Sequence, residues 1–394
     1  MQNRGGLFAG LVLILLGALF LFLNLAGWLL QWLDIGFDAW RLWPLILVLG
    51  GIAFYLPLII WWDRRREIIG LVMPGTLLLA NGLLLPLGVD QRPHIIPAHH
   101  ALPQLAGRRF AAVLANDLDT LPFAFRLAVG APVIWDAHEY YLDDQPPTWR
   151  WRLARLPHLR RIARRWIPRC RAVMTVSPGI AERYAREFGV RPVLVGNLPE
   201  AAALEPGQTP APPHPVRLIH HGGMAASRSY ATLIETATLL GDGYTLDLLV
   251  VPAPGHAWDE LRRRTASAGN VRLLPPVPMP EIPARLNAAY DIGIHILPPA
   301  SFNDRHALPN KLFEFIQARI APAVWPAPEM GGLVREHLCG VVSDDFTIES
   351  MSRALNGLDA ESLTALKLRA HEAAWKVAGE RNRETFISVV QNLL

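Results

Sequence analysis

The chain has 394 residues, 51% hydrophobic and 18% charged, with a formal net charge of +4 and only two cysteines. That length exceeds one typical core and predicts two or three domains. Cys170 and Cys339 lie too far apart for a disulfide framework or a cysteine metal cluster, which fits a reducing setting, and a small net charge without a recognised module argues against nucleic-acid binding.

Three stretches, about 6–30, 42–62 and 68–88, are almost without charge, and each approaches the roughly 20 residues a membrane-spanning helix needs. Trp28, Trp32, Trp40, Trp43, Trp61 and Trp62 stand near their ends, where an interfacial aromatic belt is expected. Residues 1–90 therefore predict a transmembrane helical domain in a multi-pass protein of the cell membrane, and 91–108 a linker. Arg64, Arg65 and Arg66 should stay cytoplasmic, so positive-inside counting with three spans puts the following chain outside. Pro74, Gly75, Asn81 and Gly82 offer a re-entrant third segment, which returns it to the cytoplasm.

From Arg109 the pattern changes to short apolar runs alternating with helical segments, the signature of a parallel sheet covered by helices. Strands are expected at Phe110 to Ala115, Pro132 to Trp135, Ala172 to Val176 and Pro192 to Val195, with helices from near Thr120, Trp149 and Pro178. They form a first lobe over 109–199. Between Trp149 and Arg171 stand nine arginines and no acid, interleaved with Trp and Leu, a pattern that suits either a solvated helix or an anionic membrane surface. The stretch "EAAALEPGQTPAPPHP" (200–215) is too rich in proline for regular structure and predicts a semi-rigid hinge. A second lobe, 216–394, restarts the alternation with strands at Val216 to His220, Thr245 to Val251, Val271 to Leu274, Asp291 to Leu297 and Ala321 to Trp325.

Four strand ends carry candidate chemistry. In "HHGGMAASRS" (220–229), Gly222 and Gly223 let a ligand approach the backbone, and Arg228 brings a positive charge; neither a dinucleotide fingerprint nor a P-loop is present. In "RHALPNKLFEF" (305–315), Pro309 suits a helix start, and the amide donors of Asn310, Lys311 and Leu312 then point toward an anion. Glu314 shares a face with Asn310, where its carboxylate can accept two ribose hydroxyls or simply favour the helix dipole. In "VIWDAHEYY" (133–141), Asp136, His138 and Glu139 cluster after a strand, with His138 placed either to contact a sugar or to serve the structure. In "LANDLDTLP" (114–122), Asp117 and Asp119 form an Asp-x-Asp pair, but Asp119 and Thr120 also suit a helix N-cap, so no metal is assigned. Ser177 in "TVSPG" lacks a nucleophile elbow.

Taken in order, "LANDLDTLP", "VIWDAHEYY", "AVMTVSPGIAERY", "VGNLP", "HHGGMAASRS" and "ALPNKLFEFIQARIAPAV" resemble the motifs of retaining glycosyltransferases of the GT-B fold, close to the family 4 type. The resemblance runs from about Arg109 to the C-terminus. It implies an α/β architecture of two Rossmann-like lobes and metal-independent, hexosyltransferase-like transfer from a nucleotide sugar with retention of configuration. It implies no bound cofactor. By the same resemblance Glu314 holds the donor ribose, and Arg228, Asn310, Lys311 and Leu312 with the glycine turn hold the diphosphate. His138 and Glu139 fall where the family contacts the sugar. The family's two glutamates eight residues apart stand here as His306 and Glu314, and Gly223 takes the place where many members have an arginine. The family's opening strand and glycine-rich loop are not found before Phe110, so the first lobe reads as truncated. The apolar segments resemble small bacterial membrane domains of envelope-stress proteins, which implies a fusion.

The expected protein is thus a membrane-anchored glycosyltransferase acting on an envelope polysaccharide or lipid-linked acceptor, in contact with membrane lipid. The alternative is a non-catalytic membrane protein whose relic lobes only bind a nucleotide or a partner.

Overall fold

The computed structural model describes residues 109–144, 148–149, 151–209, 214–224, 230–253 and 255–393. The expected membrane segments within 1–90 and the linker 91–108 lie outside the described residues. Among the described residues no helix is long and apolar enough to cross a membrane.

The first sheet has four parallel strands in sequence order, β1 (Val113–Asn116), β2 (Val133–Ala137), β3 (Ala172–Thr175) and β4 (Val193–Leu194). Helices α1 (Leu121–Ala128), α2 (Leu156–Trp166) and α3 (Pro178–Phe188) connect them. Helices on both faces of a parallel sheet explain why Val133, Ile134 and Trp135 are all buried in succession. Pro122 and Pro178 each fall in a first helical turn, where a missing N–H leaves no helical bond unmade, whereas Pro157 follows a five-residue π-helical segment, Trp151–Arg155, that runs directly into α2. Thr120 does not cap α1 through its side chain, as the sequence suggested. Its hydroxyl donates backward to the carbonyls of Asn116 and Asp117, and the Asp117 carboxylate accepts from the Tyr141 hydroxyl.

The second sheet is six-stranded and all parallel: β5 (Val216–Gly223), β6 (Tyr244–Val251), β7 (Val271–Leu274), β8 (Ile292–His295), β9 (Ala321–Val324) and β10 (Val341–Val342). Its helices are α4 (Tyr230–Leu240), α5 (His256–Ser267), α6 (Ile282–Ala289), α7 (Phe302–Arg305), α8 (Asn310–Gln317), α9 (Pro328–His337), α10 (Ile348–Asn356), α11 (Ala360–Ala374) and α12 (Gly379–Gln391). The order β10-β9-β8-β5-β6-β7 reverses direction between β5 and β8. A ligand crevice is expected outside the carboxyl ends of those two strands. β10 went unpredicted because two valines before "SDD" give no periodic signal.

Leu246, Leu248, Ile292 and Ile294 bury one side of this sheet with α4 and α10, while Ile219 and Leu249 bury the other with Leu286, Tyr290 and Phe315. Gly293 lets α8 come close, because a Cβ there would lie 2.2 Å from the Phe315 ring. Local caps fix the helix starts nearby: Thr347, Asp359 and Ser301 accept from the amides of Ser350, Ser362 and Asp304.

A buried ionic cluster ties the sheet to α11. Asp291 accepts from Arg217 Nε at 2.9 Å and Nη2 at 3.0 Å, and from Lys367 Nζ at 3.2 Å. Burial pulls the Lys367 ammonium below its usual value, with Asp291 opposing. Residues 200–209, which hold only Pro206 of the stretch's prolines, have no regular structure, yet they are anchored. The buried Arg319 guanidinium donates to the carbonyls of Ala202 (2.6 Å) and Leu204 (3.2 Å), and Gln317 accepts from the Ala202 amide. Residues 210–213 lie outside the described residues.

Candidate functional site

A short seam joins the two lobes. The Tyr140 amide donates to Asn303 Oδ1 at 2.8 Å, and the Asn303 amide donates to the Asp143 carbonyl at 3.1 Å. Beside this seam lies a cavity of 440 Å³ at the carboxyl ends of β5 and β6 and the start of α8, next to the reversal of strand order between β5 and β8.

One wall is polar. Gly222, at φ 132°, is the penultimate residue of β5 in a conformation that suits glycine, and Gly223 ends the strand, its carbonyl accepting from the Tyr230 hydroxyl at 2.9 Å. Pro309 is the N-cap residue of α8 and not its first helical residue, so Asn310 and Lys311 open the helix and both line the cavity. The Leu312 amide, expected to serve an anion, donates instead to the Pro309 carbonyl at 3.1 Å, and Leu312 is fully buried beneath the wall. Glu314 faces the cavity at only 6% exposure. Burial raises its carboxyl above the ordinary value, with the Lys311 ammonium pulling the other way. Its Oε2 sits 3.3 Å from Nε2 of His221, a cavity residue that stands edge-on to Phe315.

The cavity also has an apolar lining, from Leu249, Val251, Val277, Met279 and Ile282. A hydrophobic slot facing a helix start with a buried carboxylate one turn along can take a flat ring on one side and a sugar diphosphate on the other.

At the rim, His138 Nε2 lies 3.1 Å from Asp136 Oδ2, and Nδ1 lies 3.2 Å from Asn197 Oδ1. The Asp136 hydrogen bond raises the His138 pKa against the opposing effect of burial. Both ring nitrogens are thus engaged, and a sugar hydroxyl would have to displace one partner. Glu139 lines the cavity, and its carbonyl accepts from the Tyr184 hydroxyl at 2.8 Å.

His306 does not join this wall. Its Nδ1 lies 3.0 Å from Glu329 Oε1, which also accepts from the Gly179 amide at 2.9 Å, and its ring packs on Phe302 at 4.3 Å. It serves the seam between lobes. Arg228 lies outside the described residues. The sequence reading missed His221, Asn197, Asn303 and the whole apolar wall; His221 and Asn197 stood inside quoted motifs, but nothing in the motifs showed which way they point. Among the described residues no group of three His, Cys, Asp or Glu side chains is placed to hold a metal ion.

No family model matches the chain, and no curated protein matches it. Solved structures do. Sucrose-phosphate synthase from Thermosynechococcus elongatus superposes with a TM-score of 0.59 at 13% identity, over 76% of this chain and 77% of that one. The fold is GT-B. A point mutant of Staphylococcus aureus TarM, solved with fondaparinux, alpha-GlcNAc-glycerol and UDP, gives 0.55 at 12% identity over 74% of this chain. This chain spans only 58% of that TarM chain. A trehalose-6-phosphate protein from E. coli bound with UDP-2-fluoro glucose gives 0.55 at 13% identity, over 80% and 79% of the two chains. At these identities the likeness concerns the fold.

Proposed function

We propose that this protein is a glycosyltransferase that takes a sugar from a nucleotide-sugar donor. The observation that carries the reading is the buried Glu314 one turn into the helix opened by Asn310 and Lys311, at the strand-order reversal of a GT-B fold. In this role Glu314 accepts the ribose hydroxyls, and the apolar wall takes the base. Lys311 and the start of α8 offset the charge of the leaving diphosphate as the sugar C1–O bond breaks and its electron pair goes to the phosphate oxygen. The acceptor hydroxyl attacks from the same face and passes its proton to that oxygen, so configuration is retained without a metal. His138 positions the sugar once a sugar hydroxyl displaces Asn197 from its ring, while Asp136 still holds the other nitrogen, with Glu139 beside it. Arg228 adds a second cation.

The apolar stretches within 1–90 support a membrane-anchored enzyme; a re-entrant third segment, against the count of three full spans, keeps its lobes at the cytoplasmic face, with an envelope polysaccharide or lipid-linked acceptor. A second reading, a relic domain that binds a nucleotide without turnover, draws on one observation. Among the described residues, β1 pairs only with β2, leaving the four-stranded sheet smaller than its six-stranded partner.

Calorimetric titration of the detergent-purified protein with UDP and GDP tests both readings. Binding followed by release of sugar from a matched donor supports the enzyme; binding without turnover of any donor supports the relic. No binding by the folded protein overturns the donor site itself.

A further inference from the structure

A second cavity, 670 Å³ in volume, lies on the other side of the seam from the first. Glu139 and Asn303 line the donor cavity, whereas their chain neighbours Tyr140 and Phe302 line this one, so the two are one backbone apart. Arginines converge on it from both lobes: Arg152, Arg160 and Arg183 from the first, Arg305 from the second. Its two carboxylates are already engaged. Glu187 accepts from the Tyr140 hydroxyl at 2.6 Å and pairs with Arg183, and Asp143 accepts from the Phe302 amide at 3.2 Å. Arg183 is itself fixed over the Tyr140 and Phe302 rings, at 5.3 and 5.1 Å. Among the described residues no ion pair reaches Arg152, Arg160 or Arg305. Four arginines against two carboxylates leave the lining net positive, which concentrates positive potential in the recess, and the planar forks of Arg152, Arg160 and Arg305 match phosphate and carboxylate oxygens.

The positive surface continues. Arg160 also lines a neighbouring 560 Å³ recess on α2, together with Arg161, Arg164 and Arg165. A single anion needs no such track. A flat bilayer surface would not enter a concave seam, whereas a flexible chain with repeating negative groups fills it and runs on along α2.

We propose that this seam cavity and the α2 recess bind a polyanionic chain, a phosphodiester polymer or a carboxylate-bearing glycan, next to the donor cavity. Its role as the acceptor site rests on the glycosyl-transfer reading above; the anion binding does not.

The test uses the full-length protein in detergent, with fluorescent polyphosphate and fluorescent oligogalacturonate as the two probes and UDP calorimetry alongside. Wild type should bind at least one probe, and which one identifies the source of the negative groups. Arg160→Glu/Arg305→Glu should weaken that binding by about tenfold or more and flatten its salt dependence, since charge-assisted contacts are lost. UDP affinity should stay unchanged. Unaltered probe binding by the double variant overturns the site, and so does an equal loss in Arg262→Glu/Arg263→Glu on α5, which makes the same charge change elsewhere. Binding to anionic vesicles but to neither soluble probe overturns it in favour of a membrane surface. Probe binding without UDP binding overturns the donor reading and leaves this site standing.

Discussion

Replacing Glu314 by Gln should make the free protein more stable while weakening its grip on nucleotide. The carboxyl is 6% exposed, and burial raises its pKa above the ordinary value. A carboxyl raised in the native state contributes stability that is complete below the unfolded value and is lost as pH rises through the native value. Above the unfolded carboxyl value this burial is therefore a cost to the empty fold, and a neutral isostere removes it. Glu314→Gln should unfold at a higher temperature than wild type at pH 7, with the gap closing as pH falls below the carboxyl range. Nucleotide binding moves the other way. Gln keeps one acceptor and presents a donor where a ribose hydroxyl would give its hydrogen, so charge-assisted bonds worth roughly 1 to 3 kcal/mol are lost, about 5- to 150-fold in Kd. Calorimetric titration with UDP and scanning calorimetry on the same preparation measure both effects. Unchanged affinity refutes the ribose role; a lower unfolding temperature at pH 7 refutes the assignment of burial as the dominant influence on this carboxyl.

The Asp291 cluster should respond unequally to removal of its members: Asp291→Ala strands Lys367, 1% exposed, without its counter-ion and should cost roughly 3 to 5 kcal/mol in urea unfolding. Lys367→Met should cost clearly less, because Asp291 keeps both Arg217 contacts, and equal losses would count against the cluster as drawn. Asp136→Asn should lower the His138 imidazole pKa, read by NMR titration, since the Asp136 hydrogen bond is the largest influence raising it. Wild type then gains stability from this pair below the unfolded histidine value and loses it as pH rises through the raised one, and an unmoved titration would show that Asp136 does not hold the ring. Gly293→Ala drives a Cβ into the Phe315 ring and should cost about 1 to 3 kcal/mol by overpacking, with weaker UDP binding as α8 shifts. A wild-type unfolding temperature would show that α8 does not depend on that close approach.

Much of the fold was legible because helix-covered parallel strands are apolar on both faces and stand out as short runs between polar turns. β2, β6 and β8 lie within a residue or three of their expected limits. The helix of Glu314 was legible too, since Pro309, Asn310 and Lys311 mark a start by local chemistry alone. Local chemistry did not say which amides stay available: Leu312 spends its own on Pro309, a matter of how the first turn closes. Nor did spacing place His306, whose distance from Glu314 suits a shared site but whose ring is drawn to Glu329, which in turn accepts from the Gly179 amide across the seam.

What the sequence determined by itself is the parallel alternation of strand and helix and the identity of the helix start at the candidate site, because each depends on residues near one another in the chain. What only the tertiary structure decided is the reversal of strand order between β5 and β8, the pairing of His221 with Glu314, and the meeting of Arg305 with arginines some 120 to 150 residues away. Those partners are joined by packing between distant segments, and neither periodicity nor capping carries information about which distant faces will meet.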